Sequence, residues 1–261
     1  SPNIWVGNDL CLRNLEAWVD VMLVMFPCEV DFYARHDFSV VYEGNPLIDA
    51  VDSKLRNRAS FAEFIRNQGL EDKPIVAVLP GSRKQEIDRN LGEMIRVIRH
   101  FPDHQYIIAG APSIEKSYYE QYLAVPNLSY VHDQTYELLS HSRAAIITSG
   151  TATLEAALFD VPQVVCYKAN AISYHIARHF VKVPYISLVN LNMQREVVKE
   201  LIQHDMNDQS LYQELKRLLY DPEYTDRMRS DYNQLRTKLG GSGASRKVAE
   251  AMYARLQDAD R

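Results

Sequence analysis

The sequence is poor in cysteine, has no surplus of positive charge and contains no long hydrophobic run. Its three cysteines, Cys11, Cys28 and Cys166, lie far apart and form no Cys-x-x-Cys pair. That argues against a disulfide framework or a thiolate metal site and suits a reducing compartment. Lysine and arginine number 29 against 34 acidic residues, a formal charge of −5. The basic face of a duplex-binding protein is therefore missing, and nucleic acid is not an expected partner. No stretch approaches the ~18 consecutive apolar residues of a membrane-spanning helix, and no signal-peptide pattern opens the chain. Three glycine fingerprints are absent as well. There is no Gly-Lys-Ser/Thr phosphate loop, no G-x-G-x-x-G and no G-x-S-x-G nucleophile elbow.

What is present is an ordinary globular composition: 261 residues, 46% hydrophobic and 24% charged. Such a length allows one large domain or two small ones. Apolar runs of strand length alternate with segments of helical period, the pattern of an α/β, doubly wound parallel sheet. Strands are expected at residues 21–26, 39–42, 75–79, 106–109, 128–131, 144–148 and 163–167. Helices are expected at 29–35, 87–101, 113–123, 136–142, 153–159 and 172–181. The run Ile75-Val76-Ala77-Val78-Leu79 is apolar throughout, as in a strand covered on both faces. Leu91, Met94, Ile95 and Ile98 follow with the spacing of an amphipathic helix. Residues 50–70 have weak periodicity and read as a connector or edge helix outside the core. From Pro184 the chain reads as mostly helical, with Gly240-Gly241-Ser242-Gly243 as a flexible joint before a last helix carrying Val248, Met252 and Leu256. Residues 73–239 make one complete Rossmann-like unit, whereas residues 1–50 hold too few strands to close a sheet of their own. The chain opens at Ser1 and not Met, which suits a piece of a longer protein.

Two strand-to-helix turns are candidate sites. Pro80-Gly81-Ser82-Arg83 follows the first buried strand. Gly81 permits close backbone approach, Ser82 suits a helix N-cap, and Arg83 carries a donor fork for a diphosphate. The plain alternative is a capped helix with a surface arginine. Thr148-Ser149-Gly150-Thr151 repeats the logic, and Glu155, one turn further on, suits ribose hydroxyls. The alternative there is Ser149 or Thr151 as an N-cap, with Glu155 near the positive helix end. Together the turns suggest a nucleotide held by two helix N-termini. In a third segment Asn190 is suited to a base or phosphate, and Glu196 and Glu200 are spaced to share a helix face; a solvated helix start is the bland reading. His175 and His179 are four apart but lack a third ligand, so no metal site is expected. The 16 tyrosines suit core packing.

Several segments, in order along the chain, resemble the lipid-A-disaccharide synthase family, bacterial glycosyltransferases of two-domain GT-B architecture. They are Ser1-Pro2-Asn3-Ile4-Trp5, Phe26-Pro27-Cys28-Glu29 with Phe32-Tyr33, and Gly44-Asn45-Pro46-Leu47-Ile48-Asp49. Leu79 to Arg83 with Glu86-Ile87, Ser149 to Glu155, and Val164 to Lys168 follow. Asn190 with Arg195-Glu196 and Glu200-Leu201 ends the series. Two departures stand out. Gly7 replaces the second tryptophan of the family's Trp-x-Trp, and Cys28 stands where the family has phenylalanine.

The resemblance implies inverting transfer of diacylglucosamine from UDP-diacylglucosamine to diacylglucosamine 1-phosphate, releasing UDP, with no cofactor and no metal. It places the UDP-sugar on Gly81, Ser82, Arg83, Glu86, Ser149, Gly150, Thr151, Glu155, Tyr167, Asn190, Glu196 and Glu200, with Arg83 stabilising the leaving diphosphate. The general base and the acceptor surface are expected in an upstream part that this chain lacks. The implied plan assigns residues 1–50 to the remnant of that acceptor-side domain and 51–72 to a connector. Residues 73–239 become the donor domain, and 240–261 a joint and a helix returning to the acceptor side. The family works in the cytoplasm, peripherally on the inner membrane. A homodimer by exchange of the last helix is an arrangement the glycine joint permits. Other UDP-sugar enzymes of this architecture, a UDP-N-acetylglucosamine epimerase or the peptidoglycan glycosyltransferase, share the turns. A UDP-sugar-binding module without turnover is the alternative from a different class.

Overall fold

The computed structural model describes Val19, residues 21–168 and residues 185–259. The Ser1–Trp5 motif, Gly7, Cys11, His175, His179 and the helix expected at 172–181 lie outside the described residues.

A six-stranded, wholly parallel sheet carries the fold. Its strands are β3 (Ile75–Leu79), β4 (Gln105–Gly110), β5 (Leu128–His132), β6 (Ser142–Thr148), β7 (Gln163–Tyr167) and β8 (Lys199–Ile202), in the spatial order β5-β4-β3-β6-β7-β8. Every residue of β3 and β4 is buried, because helices cover both faces. Three of the helices follow strands directly: α4 (Lys84–Arg96) after β3, α6 (Thr135–Ser140) after β5 and α7 (Thr151–Leu158) after β6. Chain order runs outward from β3 in one direction and resumes from β6 in the other, so the order reverses between these neighbours. In open parallel sheets that reversal opens a crevice at the strands' carboxyl ends, where ligands bind.

Before the sheet come β1 (Leu23–Val24), α1 (Pro27–Ala34), β2 (Val41–Tyr42), α2 (Leu47–Arg56) and α3 (Phe61–Gln68). β1 and β2 pair in parallel as a separate two-stranded sheet, with Met22, Val24 and Tyr33 as its small core. The helices α2 and α3 correct the expectation that residues 50–70 stand outside the core. Ile48, Val51 and Phe64 are at most 2% exposed and belong to the main core. Leu47, Leu55, Phe61 and Ile65 pack against the same core, but the stripe is split between two short helices with a break at residues 57–60, so no long period shows in the sequence. Ser60 caps α3 by accepting the Glu63 N–H, while the Glu63 carboxylate accepts the Ser60 N–H, a reciprocal capping box.

Residues 197–203 are a second correction. They contain β8, paired with β7 from Val164↔Lys199 to Tyr167↔Ile202, and not a continuation of helix. Four residues with two charges at the sheet edge carry little strand signal. After β8 the chain is helical as expected, through α9 (Asp208–Tyr220), α10 (Pro222–Lys238) and α11 (Ala244–Ala259). α8 (Leu188–Met193) precedes β8, and the helix expected at 113–123 is only a short α5 (Lys116–Tyr119) followed by a 3-10 turn.

The glycine joint is pinned, not free. Asp49 accepts the N–H groups of Gly243 (2.6 Å) and Ser245 (2.8 Å), and Asp52 accepts from Ser242 Oγ (2.5 Å) and from Arg236. Gly240 has φ +91°, and a Cβ there would stand 3.0 Å from the Gly44 Cα. Gly44, at φ +104°, is crowded from its other side, where a Cβ would stand 3.0 Å from the Ala244 Cβ.

Candidate functional site: two glycine turns at the sheet crossover

β3 and β6 are hydrogen-bonded neighbours with Leu79 opposite Ile147. The chain therefore leaves both strands at one level, and the turns at Gly81 and Gly150 lie side by side on the carboxyl edge, as expected.

At the first turn Gly81 has φ +109°, a conformation that costs an L residue strain. A Cβ there would also meet Glu86 Oε2 at 2.5 Å. The N-cap of α4 is Arg83 and not Ser82, and its side chain makes no cap bond. The Ser82 N–H instead donates to Glu86 Oε2 (3.2 Å), and Arg83 Nη1 lies 3.5 Å from Glu86 Oε1. A carboxylate of the chain itself thus occupies the mouth of this turn. The Arg83 side chain is 83% exposed, so its ion pair is weak and can exchange for another anion.

At the second turn Gly150, the N-cap of α7, has φ +156°, and no described residue lies within 4 Å of where its Cβ would stand. The glycine meets a backbone need and leaves open space before the helix. The first N–H groups of α7 have no intrahelical acceptor, and Thr151 is exposed at its first position. Neither Ser149 nor Thr151 caps the helix. Ser149 Oγ donates to the Ile186 carbonyl (2.7 Å), and Thr153 Oγ1 to the Gly150 carbonyl (2.8 Å). Thr148 Oγ1, just before the turn, is buried with no hydrogen-bond partner among the described residues.

Glu155 is the inner wall of a cavity of about 440 Å3, lined also by Lys54, Asp133, Gln134, Thr135, Tyr136 and Glu137. Burial pushes its carboxyl pKa up, and the hydrogen bond from Tyr136 (3.1 Å) partly offsets this. The Tyr136 hydroxyl is raised in turn, by burial first and then by the Glu155 charge. Opposite, Glu137 sits below its ordinary range. Burial alone would raise it, but Lys54, the Ala59 N–H (2.9 Å) and His141 favour its charged form. Sequence reasoning missed this wall. Its signal is that residues 133–137 are a third strand-to-helix turn at the same edge of the sheet.

The remaining expected residues divide. Tyr167 ends β7, one position beyond Cys166, the partner of Thr148, and so borders the second turn. Asn190 is fully buried, and its amide is wholly engaged. Nδ2 donates to the Val198 carbonyl and Glu200 Oε1 (2.9 Å each), while Oδ1 accepts the N–H groups of Val197 (2.7 Å) and Val198 (3.0 Å). Nothing is left to hold a base or phosphate, which corrects that expectation. Glu200 lies on β8, and Glu196 precedes β8 in an exposed pair with Lys199 (3.4 Å). The two do not share a helix face, and Glu196 is not brought to the turns. No cluster of potential metal ligands occurs among the described residues, and no described helix is long and apolar enough to cross a membrane.

The fold is of the GT-B kind, as comparison with solved structures shows. The S. aureus MnaA–UDP co-structure superposes with a TM-score of 0.64 at 15% identity, covering 98% of this chain and 66% of that one. The UDP-GlcNAc 2-epimerase from Neisseria meningitidis bound to UDP-GlcNAc gives 0.63 at 15% identity, over 97% and 67%. Family and relatives narrow this further. The family model for lipid-A-disaccharide synthetase matches residues 1–254. The lipid-A-disaccharide synthases of Acidobacterium capsulatum and Syntrophus aciditrophicus are 34% and 32% identical, over 98% and 100% of this chain and 68% and 69% of theirs. The chain belongs to the lipid-A-disaccharide synthase family, glycosyltransferases of lipid A biosynthesis. It spans about two thirds of the length of these curated relatives.

Proposed function

We propose that this chain is the donor half of a lipid-A-disaccharide synthase and holds the UDP of UDP-diacylglucosamine across its two glycine turns. The observation that carries the reading is the register of Leu79 with Ile147, which sets two helix N-termini side by side at the crossover. Solved neighbours of the same fold are described with UDP or UDP-GlcNAc bound. In this reading the diphosphate lies between Gly81-Ser82-Arg83 and Gly150-Thr151, where free N–H groups and the positive helix ends neutralise it without a metal. It displaces the Glu86 carboxylate, and Arg83 is released to fork onto the phosphates. Glu155 takes the ribose hydroxyls, and the cavity beside it takes the base.

The 6-hydroxyl of diacylglucosamine 1-phosphate attacks the donor anomeric carbon. The new C–O bond forms as the bond from that carbon to the diphosphate breaks, and UDP leaves with the electron pair. Arg83 and the two N-termini act where this negative charge grows. The base that takes the hydroxyl proton, the acceptor surface and the attachment to the cytoplasmic face of the inner membrane belong to the family's acceptor-side portion. Titration of UDP into this chain with divalent metals chelated tests the reading. Saturable binding is expected, and its absence would remove the chain from the donor role. Turnover of UDP-diacylglucosamine, measured on this chain and on a full-length relative, separates a binding half from a complete enzyme.

A further inference from the structure

We infer that Glu200, on the outer strand β8, is a positioning residue for the Gly150 turn, acting through Ser187, Ile186 and Ser149 without touching the nucleotide. The inference rests on the proposed placement of UDP at that turn. Glu200 Oε1 accepts from the Ser187 N–H (2.9 Å), Ser187 Oγ (2.7 Å) and Asn190 Nδ2 (2.9 Å), and Oε2 accepts from the Ile186 N–H (3.0 Å). A carboxylate oxygen has about two acceptor positions; three donors crowd Oε1 and one engages Oε2, so the carboxylate is committed mainly to residues 186–190 of its own chain. Two successive backbone N–H groups on one carboxylate fix the orientation of the Ile186–Ser187 peptide. The carbonyl of Ile186 then receives the Ser149 hydroxyl at 2.7 Å.

Ser149 has one hydroxyl proton, and it is spent on that carbonyl, so in this arrangement the side chain tethers the turn and donates nothing to phosphate. The tether matters because Gly150 has no side chain and no described residue lies within 4 Å of where its Cβ would stand. Among the described residues, none packs on that side of the turn. Ser187 also caps α8 by accepting the Asn190 N–H at 3.2 Å, and Asn190 in turn grips Glu200 and residues 197–198. The chain of contacts runs from β8 to the turn through buried or half-buried groups, where an unmade hydrogen bond is costly.

Glu200→Gln replaces one carboxylate oxygen with an amide donor facing N–H groups, and Ser149→Ala removes the hydroxyl at the far end. Three readouts apply to each variant and to the double variant: hydrogen exchange of amides 149–152 without ligand, the Kd for UDP, and the melting temperature. Each single change should speed exchange at the turn and raise the UDP Kd about fivefold to tenfold. The double variant should be no worse than either single one, because both cut the same link. Ser149→Thr, which keeps the hydroxyl, should restore affinity. If the two losses multiply, or if Glu200→Gln leaves turn exchange unchanged, the positioning role is overturned. Should Glu200→Gln destabilise the whole fold, Ser149→Ala and its threonine rescue still decide. The two readings fail differently. Wild-type chain that does not bind UDP, with a turn still loosened by Glu200→Gln, defeats the proposed function and leaves the tether standing. UDP binding unaffected by both variants defeats the tether alone.

Discussion

Leu79 and Ile147 face each other across the one strand pair where the strand order of the parallel sheet reverses. That pairing brings Gly81 and Gly150, 69 positions apart in sequence, to a common edge, each with a positive φ and each at the start of a helix. In the proposed function a diphosphate spans the pair, exchanging with the Glu86 carboxylate at the first turn and meeting the helix N-terminus at the second.

In the proposed function Arg83 stands on the leaving-group side. In a full-length enzyme Arg83→Ala should lower kcat by roughly 10²–10³, the loss seen when an oxyanion donor is removed. Arg83→Lys should recover only part, because a point charge cannot fork onto two oxygens. Among the described residues Arg83 pairs only with Glu86, on the surface, so the melting temperature should barely move. Near-normal turnover in Arg83→Ala would remove it from the chemistry.

Glu155 should show a conflict between stability and binding. Its carboxyl pKa is raised in the fold by burial, so keeping the group charged at pH 7 costs stability, and the cost vanishes as pH falls below the ordinary value of 4.5. Glu155→Gln should therefore melt higher than the parent near neutrality and equal to it in acid. Glu155→Ala should weaken UDP by roughly 1–3 kcal/mol through lost hydrogen bonds to ribose. Calorimetry across pH and UDP titration check the two halves separately.

The clamp on the glycine joint has the opposite sign. Burial alone would raise Asp49, but the N–H groups of Gly243 and Ser245 hold it below its usual range. In the same way Ser242 and Arg236 hold Asp52 down. The stability these carboxylates add is present above the ordinary aspartate pKa and is lost as pH falls through the lowered one. Asp49→Asn with Asp52→Asn should open residues 240–245 to protease at pH 7, and acid should do the same to the parent. Light scattering on the variant tests helix exchange, since only a released joint lets α11 leave its own chain.

Much of the site was legible because its signals are local. Ile75 to Leu79 and Ala144 to Thr148 are apolar runs broken by glycine, and each turn lies at its run's end. That these strands are neighbours is a property of the sheet order, and no spacing in the sequence states it. Asn190 and Glu200 were misplaced for a different reason. Polar residues that could hold a ligand and polar residues that satisfy buried backbone look alike in sequence, and only burial separates them. β8 was hidden by Lys199 and Glu200, whose charges suit an edge strand as well as a helix face. The core faces of α2 and α3 are hard to read because Leu47, Ile48, Val51 and Leu55 lie on one short helix and Phe61, Phe64 and Ile65 on another, with a break between them.

A substitution at Gly150 separates backbone need from side-chain loss. Gly150→Ala adds one methyl into open space, yet φ +156° costs an L residue about 1–3 kcal/mol. Relaxation of the turn to relieve that strain should weaken UDP while the core strands keep their exchange protection.

The most direct test of the central claim is a map of backbone amide shifts on adding UDP to this chain. Saturable shifts at Ser82 to Lys84 and at Thr151 to Ala152, moving together with one Kd, are the predicted result, because one diphosphate touches both turns. Saturable binding that shifts only one turn, or neither while perturbing another cavity such as that between Tyr212 and Tyr220, would contradict it.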